Sequence, residues 1–275
     1  MGLARKQLNP VMTMPAAAIQ AIYRYPVKGL SAQALPRVQL SAGLTLPADR
    51  LYAIENGPSG FDPAAPAYFP KQHFLMLMRN ERLARLRTEF DEQTHVLSVR
   101  SDGRLAAQGD LRTREGRAEI ERFLAAYCAD ELQGPPKILA GTGGHSFSNM
   151  KPPHSFSDVA QRAVSIINLA SVAAVENAVG APVDPLRFRG NLYVRGWPAW
   201  REFELLGQEI AIGPARLKVV RRVKRCAATN VEPETGIRDL NIPQTLMKSF
   251  GHADCGIYTE VVAGGEIAVG ETVAA

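Results

Sequence analysis

Cysteine is scarce: Cys128, Cys226 and Cys255 are the only three in 275 residues. They lie far apart, with no CxxC pair and no His/Cys spacing of the zinc-finger kind, which argues against a disulfide framework and a structural zinc site. Excess charge is small as well. The 32 Lys+Arg exceed the 27 Asp+Glu by five, with a pI near 9.2; this suits a phosphate-bearing ligand or an acidic partner, but is no argument for nucleic acid. No run of eighteen apolar residues occurs, so no membrane span is expected. Asn9, Pro10, Thr13 and Pro15 interrupt the first eighteen residues where a secretory signal needs a continuous apolar centre. The expectation is a protein of a reducing compartment, the cytoplasm, with residues 1–17 as a loose leader. No repeat of fixed period is present, and Gly144 is followed by His145 rather than by the Lys-Ser/Thr of a phosphate-binding Walker loop.

What is present is ample apolar material, 46% of residues, arranged mostly as short runs punctuated by Pro and Gly. AAIQAIYRYPV, RVQLSAGL, DRLYAIEN, FLMLM, ARLRTEF and HVLSVR read as strands of an antiparallel, barrel-like first half. In EGRAEIERFLAAYCADEL, Ile120, Phe123, Leu124 and Tyr127 recur at i, i+3, i+4 and i+7, which predicts a helix with one apolar face. Cys128 sits at the edge of that face and reads as a packed core residue. A Gly, Ser and Pro-rich segment from Leu139 to Asp158 reads as a linker or long loop. SIINLASVAAVENAV predicts a second helix closed by Gly180 with Pro182 beyond it, and NLYVRG, FELLGQEIAIG, ARLKVVRRVKRC and GIYTEVVAGGEIAVGETV return to strands. The fold class expected is mainly β with peripheral helices (α+β), divided into an N-terminal β-barrel-like domain over 18–135 and a second β-barrel domain over 136–273.

Two segments concentrate cations. If the strand over 215–226 is unbroken, its period of two puts Arg216, Lys218, Val220, Arg222, Lys224 and Cys226 on one face, and Leu217, Val219, Arg221, Val223 and Arg225 on the other. Nearby cations favour thiolate, the form that acts as nucleophile or metal ligand. Two readings stay open for Cys226: a reactive or ligating thiol, or a structural one beside a solvated basic strand; a bulge would change the facing. In PLRFRGN, Arg187 and Arg189 flank Phe188, Gly190 allows a close backbone turn, and Asn191 offers donors and an acceptor. Such arginines either grip an anion bidentately or are ordinary surface charge. Lys28 and the Asp49-Arg50 pair carry the same two readings.

Taken together, Tyr25-Pro26-Val27-Lys28, Asp49-Arg50, Arg187-Phe188-Arg189-Gly190-Asn191, Arg225-Cys226 followed by Thr229, Val231, Pro233, Thr235 and Gly236, and Gly256-Ile257-Tyr258 with Val269-Gly270-Glu271 resemble MOSC-domain proteins that carry an N-terminal MOSC β-barrel domain. In organisation they are most similar to amidoxime-reducing-component-like enzymes. The order of these pieces runs from Ile19 to Val273. The resemblance implies a molybdenum cofactor, whose metal is held by the dithiolene of a phosphate-bearing pyranopterin and by one protein thiolate. By motif match that thiolate is Cys226, the catalytic and metal-binding residue, while Lys28, Arg50, Arg187, Arg189 and Asn191 surround the phosphate and pterin.

The activity implied is reduction of N-hydroxylated compounds such as amidoximes, hydroxylamines and N-hydroxylated nucleobases, by two electrons and two protons with oxygen leaving as water. The alternative is a non-catalytic carrier of molybdenum cofactor or sulfur on Cys226. Three scattered cysteines build no iron–sulfur motif. Electrons are therefore expected from a separate protein of ferredoxin, flavoprotein or cytochrome b5 type, with no nucleic acid and no membrane as partner and no pyridoxal-phosphate domain attached. Two departures from the family pattern stand out: Gly29 follows Lys28 where Ser is frequent, and FELLGQ has no Trp. His252 and Cys255 are near enough in sequence to share a metal, yet two ligands do not make a site. Asp239 and Glu232 read as turn residues rather than proton donors.

Overall fold

Alternating burial along the β-rich segments gives each strand one face to hide, and the chain hides most of them in one sheet. The computed structural model describes residues 16–58, 60, 71–140 and 162–275. Its strands are β1 (Ala18–Arg24), β2 (Gln33–Leu35), β3 (Arg37–Leu40), β4 (Tyr52–Asn56), β5 (Arg87–Phe90), β6 (Val96–Ser101), β7 (Arg104–Asp110) and β8 (Pro136–Ala140). They continue with β9 (Val164–Asn168), β10 (Leu192–Arg195), β11 (Glu209–Ile212), β12 (Ala215–Lys224), β13 (Asp254–Ala263), β14 (Gly265–Ala268) and β15 (Val273–Ala274). Helices are α1 (Arg114–Tyr127), α2 (Leu169–Val179), α3 (Arg201–Glu204) and α4 (Ile242–Phe250). The protein is mainly β with peripheral helices, as expected.

The large sheet runs β15-β11-β12-β13-β9-β10-β1-β2, antiparallel throughout except for the parallel β9–β10 pair. It curls until β1 meets the C-terminal end: Ile19 N–H donates to Glu271 O (2.9 Å) and Val273 N–H to Ala17 O (2.7 Å). Two strands from the first 35 residues, β1 and β2, thus join a sheet otherwise built from the last 110 or so residues, and β1 closes it as a barrel, which removes an exposed edge. Ile19, Ile22, Ile166, Leu192, Ile210, Leu217, Val219 and Ile257 fill it, each at most 1% exposed. A second core lies under the three-stranded β5-β6-β7 sheet and the β4-β8 pair, where α1 brings Ile120 and Leu124 against Leu83, Phe90, Val99 and Ile138. A third seats α2 and α4 on the outer side of the barrel through Val172, Val175 and Leu246.

Several expectations need correction. FLMLM is not a strand: Phe74 makes a lone bridge to Glu55, and the chain turns at Leu77–Arg79. Ser165–Asn168 is the end of β9 rather than the start of a helix, because β-branched Ile166 pairs with both β10 and β13, and Ile167 with β10, at the centre of the sheet. Asn168 then caps α2 by accepting from Ala170 N–H (3.1 Å), and Gly180 ends it in the left-handed conformation, φ +75°. Helix α1 matches its apolar period, with Thr113 as N-cap. The leader, residues 61–70 and most of the proposed linker lie outside the described residues. No helix among the described residues is long and apolar enough to cross a membrane.

Because β1 supplies both barrel-closing hydrogen bonds and core side chains, a fragment of residues 143–275 should aggregate or lack a cooperative denaturant transition, while the full chain unfolds cooperatively. A fragment with a cooperative transition would show that the barrel stands without β1.

Candidate functional site

The turn after β1, the turn before β4, the segment after Phe74, the single helical turn Pro185–Phe188 and the end of β12 converge on one cavity of about 320 Å³. Lys28, Arg50, Arg187, Arg189, Asn191 and Cys226, widely spaced in sequence, all line it. Arg221, Arg222, Lys224 and Arg225 line it too, giving eight basic side chains against one acid, Asp49. Asp49 is already committed: its Oδ1 accepts from Tyr25 N–H (2.8 Å) and its Oδ2 pairs with Arg50. The chemistry of this wall is that of an anion site.

Two of the cations are fixed by one ring. The guanidinium carbons of Arg189 and Arg50 lie 4.2 and 4.7 Å from the centroid of Tyr25, which is itself 1% exposed. Arg50 also donates to Arg189 O (3.0 Å) and Arg189 to Leu30 O (2.9 Å). Both arginines have left-handed backbones, φ +51° and +50°, a conformation that costs an L residue energy and turns each chain sharply toward the cavity. Gly190 follows because any Cβ there would lie 2.2 Å from Ile167 Cγ1. Gly29 sits at φ +86°, where a Cβ would come within 3.1 Å of Leu75 O, so a serine after Lys28 would be strained in this chain.

Other expected contact residues are partly spent on the fold. Arg187 is 3% exposed, donates to Asn230 O (3.1 Å) and pairs with Asp239 (2.7 Å). Burial raises the Asp239 carboxyl, but the hydrogen bond and charge of Arg187 outweigh it and hold the group below its usual range. Asn191 Oδ1 accepts from both the amide and the hydroxyl of Ser165 (3.1 and 2.8 Å), and its amide nitrogen donates to Tyr23 O (3.2 Å). It ties β1, β9 and β10 together behind the cavity and keeps one N–H for anything inside. Arg225 donates to Phe188 O (2.7 Å) and Cys255 O (2.7 Å), which locks the residue before Cys226.

The unbroken-strand facing around Cys226 is corrected by the pairing. Register shifts fall between Val219 and Arg221 and between Arg222 and Lys224, so Arg221 is exposed rather than sharing the buried face of Leu217 and Val219. These bulges bring consecutive residues Arg221–Cys226 to one cavity wall. Cys226 is half-buried, lies two residues past the end of β12, and opens a helical turn in which Thr229 donates back to Cys226 O from its amide (3.1 Å) and hydroxyl (2.9 Å). Arg238 braces that turn against the other wall, donating to Ala227 O (3.1 Å), Leu77 O (2.9 Å) and Met78 O (2.8 Å). Sequence reading missed Ser165, Met76, Leu77 and Met78 as lining residues, since nothing in their local pattern marks them, and gave Tyr258 only as part of a motif, with no place at the site. His252 packs among Trp200, Phe203 and Phe250, and no three His, Cys, Asp or Glu side chains form a metal cluster among the described residues. Glu232 accepts from Glu234 N–H (2.7 Å) and Thr235 N–H (2.5 Å), as a turn residue does.

Comparison with known proteins gives two family matches that between them span nearly the whole chain: a MOSC N-terminal beta barrel domain over residues 16–132 and a MOSC domain over 143–274. The chain is similar to mitochondrial amidoxime reducing component 2 of Rattus norvegicus, 25% identical over 60% of this chain and 53% of that one. It is also similar to mitochondrial amidoxime-reducing component 1 of Homo sapiens, 30% identical over 51% of this chain and 43% of that one. The match thus spans about half the length of these curated relatives or less. Among solved structures, the YUAD protein of Bacillus subtilis aligns over 94% of each chain at 12% identity with a TM-score of 0.42, too slight a likeness to carry an argument.

The three thiols differ sharply in surroundings. Cys128 and Cys255 are fully buried and burial pushes both up to about 12, whereas Cys226 is half-buried on the cavity wall. Native cofactor-free protein at pH 8 should therefore give one thiol per chain to a thiol reagent, none in Cys226→Ser, and the unmutated chain all three after denaturation. Two or more fast-reacting thiols in the native protein would contradict this geometry.

Proposed function

The chain belongs to the MOSC family, with a MOSC N-terminal beta barrel domain followed by a MOSC domain, and from that premise we propose that it is a molybdenum-cofactor-dependent reductase of N-hydroxylated compounds. The observation that carries the reading is the convergence of one half-buried cysteine and eight cations on a single cavity. A phosphate-bearing, anionic organic cofactor needs cations and amide donors, and a redox metal needs a soft thiolate; the wall supplies all of these. When bound, the cofactor supplies the two-electron chemistry that removes the hydroxyl oxygen as water.

The roles of the chain's own residues follow from how each is held. Arg50 and Arg189, stacked on Tyr25, present fixed positive charge to the phosphate, joined by Lys28. Arg187 contributes charge from behind its pairing with Asp239. Asn191 contributes its remaining N–H and, more importantly, the alignment of β1, β9 and β10. Cys226 supplies the thiolate to the metal, and the brace of Arg225 and Arg238 around it holds that sulfur against the cavity. The relatives are named for amidoxime reduction, which supports N–O substrates as the class. Electrons come from a separate redox protein with an acidic docking face, of ferredoxin, flavoprotein or cytochrome b5 type, drawn to the exposed Arg221, Arg222 and Lys224 beside Cys226.

Protein made in a host that synthesises the cofactor should carry near-stoichiometric molybdenum and pterin, and should oxidise an artificial electron donor only when an N-hydroxylated substrate is added. Cys226→Ala should lose metal and turnover while its thermal melt stays within a few degrees of the parent. Lys28→Ala should weaken cofactor retention by about 10- to 100-fold, the scale of one lost charge-assisted contact, with less effect on turnover per bound metal. Metal without substrate-dependent donor oxidation would favour the carrier alternative, and full activity in Cys226→Ala would overturn the ligand assignment.

A further inference from the structure

The cationic cavity has a neighbour of the opposite character. Gly29, Leu77, Arg187, Arg189 and Ala228 line both it and a smaller cavity of about 120 Å³. Leu30, Leu77, Leu186, Val231 and Pro233 give the small cavity a mainly apolar lining. Charge around it is matched: Arg187 pairs with Asp239 (2.7 Å), Arg87 lies 3.6 Å from Glu234, and Asp184 accepts from Leu186 N–H (2.7 Å). The shared wall stands beside Cys226. Ala228 belongs to the helical turn Ala227–Asn230 that Cys226 opens, and Leu77 meets that turn from the N-terminal domain. One guanidinium joins the two, since Arg238 donates both to Ala227 O (3.1 Å) and to Leu77 O (2.9 Å). A molecule with its reacting atom at Cys226 therefore has an apolar cavity within reach across Leu77 and Ala228.

We propose that the small cavity holds the apolar substituent of the N-hydroxylated substrate, with Leu77 and Ala228 as specificity-determining residues between substituent and reacting group. This rests on the reductase reading and names the substrates it favours: neutral compounds whose N–O group is carried on a ring-sized apolar body. An apolar cavity of about 150 Å³ holds benzene, so this slightly smaller one, opening beside the large cavity, suits a phenyl ring whose attached carbon points out of it. Matched charges around it offer nothing to an ionic substituent, which would lose its hydration there. In an amidoxime, R–C(NH2)=N–OH, the N–O bond breaks as two electrons and two protons are taken up, leaving the amidine and water. R is unchanged by that reaction, so it can stay buried throughout and act purely as a binding handle.

The test compares benzamidoxime with acetamidoxime, which differ only in phenyl against methyl, on molybdenum-loaded full-length protein with an artificial electron donor. Benzamidoxime should show a kcat/KM at least about tenfold higher, the scale of one apolar group gained in an apolar pocket. Ala32→Leu, which adds bulk to the small cavity's lining, should bring that ratio toward one. A second readout needs no turnover: in cofactor-free protein, benzamidoxime should protect Cys226 from iodoacetamide at a concentration about tenfold lower than acetamidoxime does. Equal kcat/KM for the two compounds, or an Ala32→Leu variant that lowers both alike, would overturn the subsite and leave the reductase reading intact. Reduction of neither compound would overturn the reductase reading, and the protection ratio would then decide the subsite, a ratio near one overturning it too. Both comparisons on unmutated protein stand without any variant folding.

Discussion

Two guanidinium groups resting on one buried tyrosine ring hold the two parts of this protein in working relation. Tyr25 follows β1, Arg50 precedes β4, and Arg189 ends the turn before β10; the attraction of each cation to the ring offsets part of their mutual repulsion. The ring's negative face contributes about 0.5–2 kcal/mol per cation when desolvated. Asp49 neutralises one charge, and the carbonyls of Arg189 and Leu30 accept one N–H each from Arg50 and Arg189. Since β1 also closes the barrel, the element that seals the hydrophobic core is continuous with the element that arms the site. Loss of either would be felt by both.

The cost of this arrangement is visible in the backbone. Arg50 and Arg189 both sit in left-handed conformations, and such strain persists only where surrounding structure over-determines it. Here the surrounding structure is specific: Tyr25 N–H to Asp49, Arg50 N–H to Tyr25 O (2.7 Å), and Arg189 N–H to Leu186 O (3.0 Å). The outcome is a set of cations whose positions exist before any anion arrives. A preorganised donor set loses little entropy on binding, which is how a site of charged, otherwise flexible side chains gains affinity.

The sequence made much of this legible, for physical reasons that differ by element. Helix α1 shows its 3.6-residue period because one face alone is buried, and six of the eight site cations declared themselves by clustering within two short motifs. The small local signals failed where tertiary pairing decides: FLMLM is apolar because it is packed, not because it is paired, and Ser165–Asn168 is drawn into the sheet by neighbours 26 and 91 residues away. The facing of Cys226 was illegible because bulges opposite β13 set it, and a bulge leaves no mark in the alternation of β12 until the partner strand is known. Nor did any pattern reveal that Asn191 and Arg187 spend most of their hydrogen bonds on the fold. Lining residues such as Met76, Met78 and Ser165 reach the cavity through loop and strand geometry alone.

The account stands on Cys226 meeting a metal inside a preformed cationic cavity. Its most direct test is X-ray absorption at the molybdenum edge on protein from a cofactor-producing host, compared with Cys226→Ser reconstituted at matched metal content. The account predicts one fewer sulfur neighbour around molybdenum in the variant, with the rest of the shell alike. An unchanged sulfur count would show that the protein thiolate is not a ligand and would contradict the site as described.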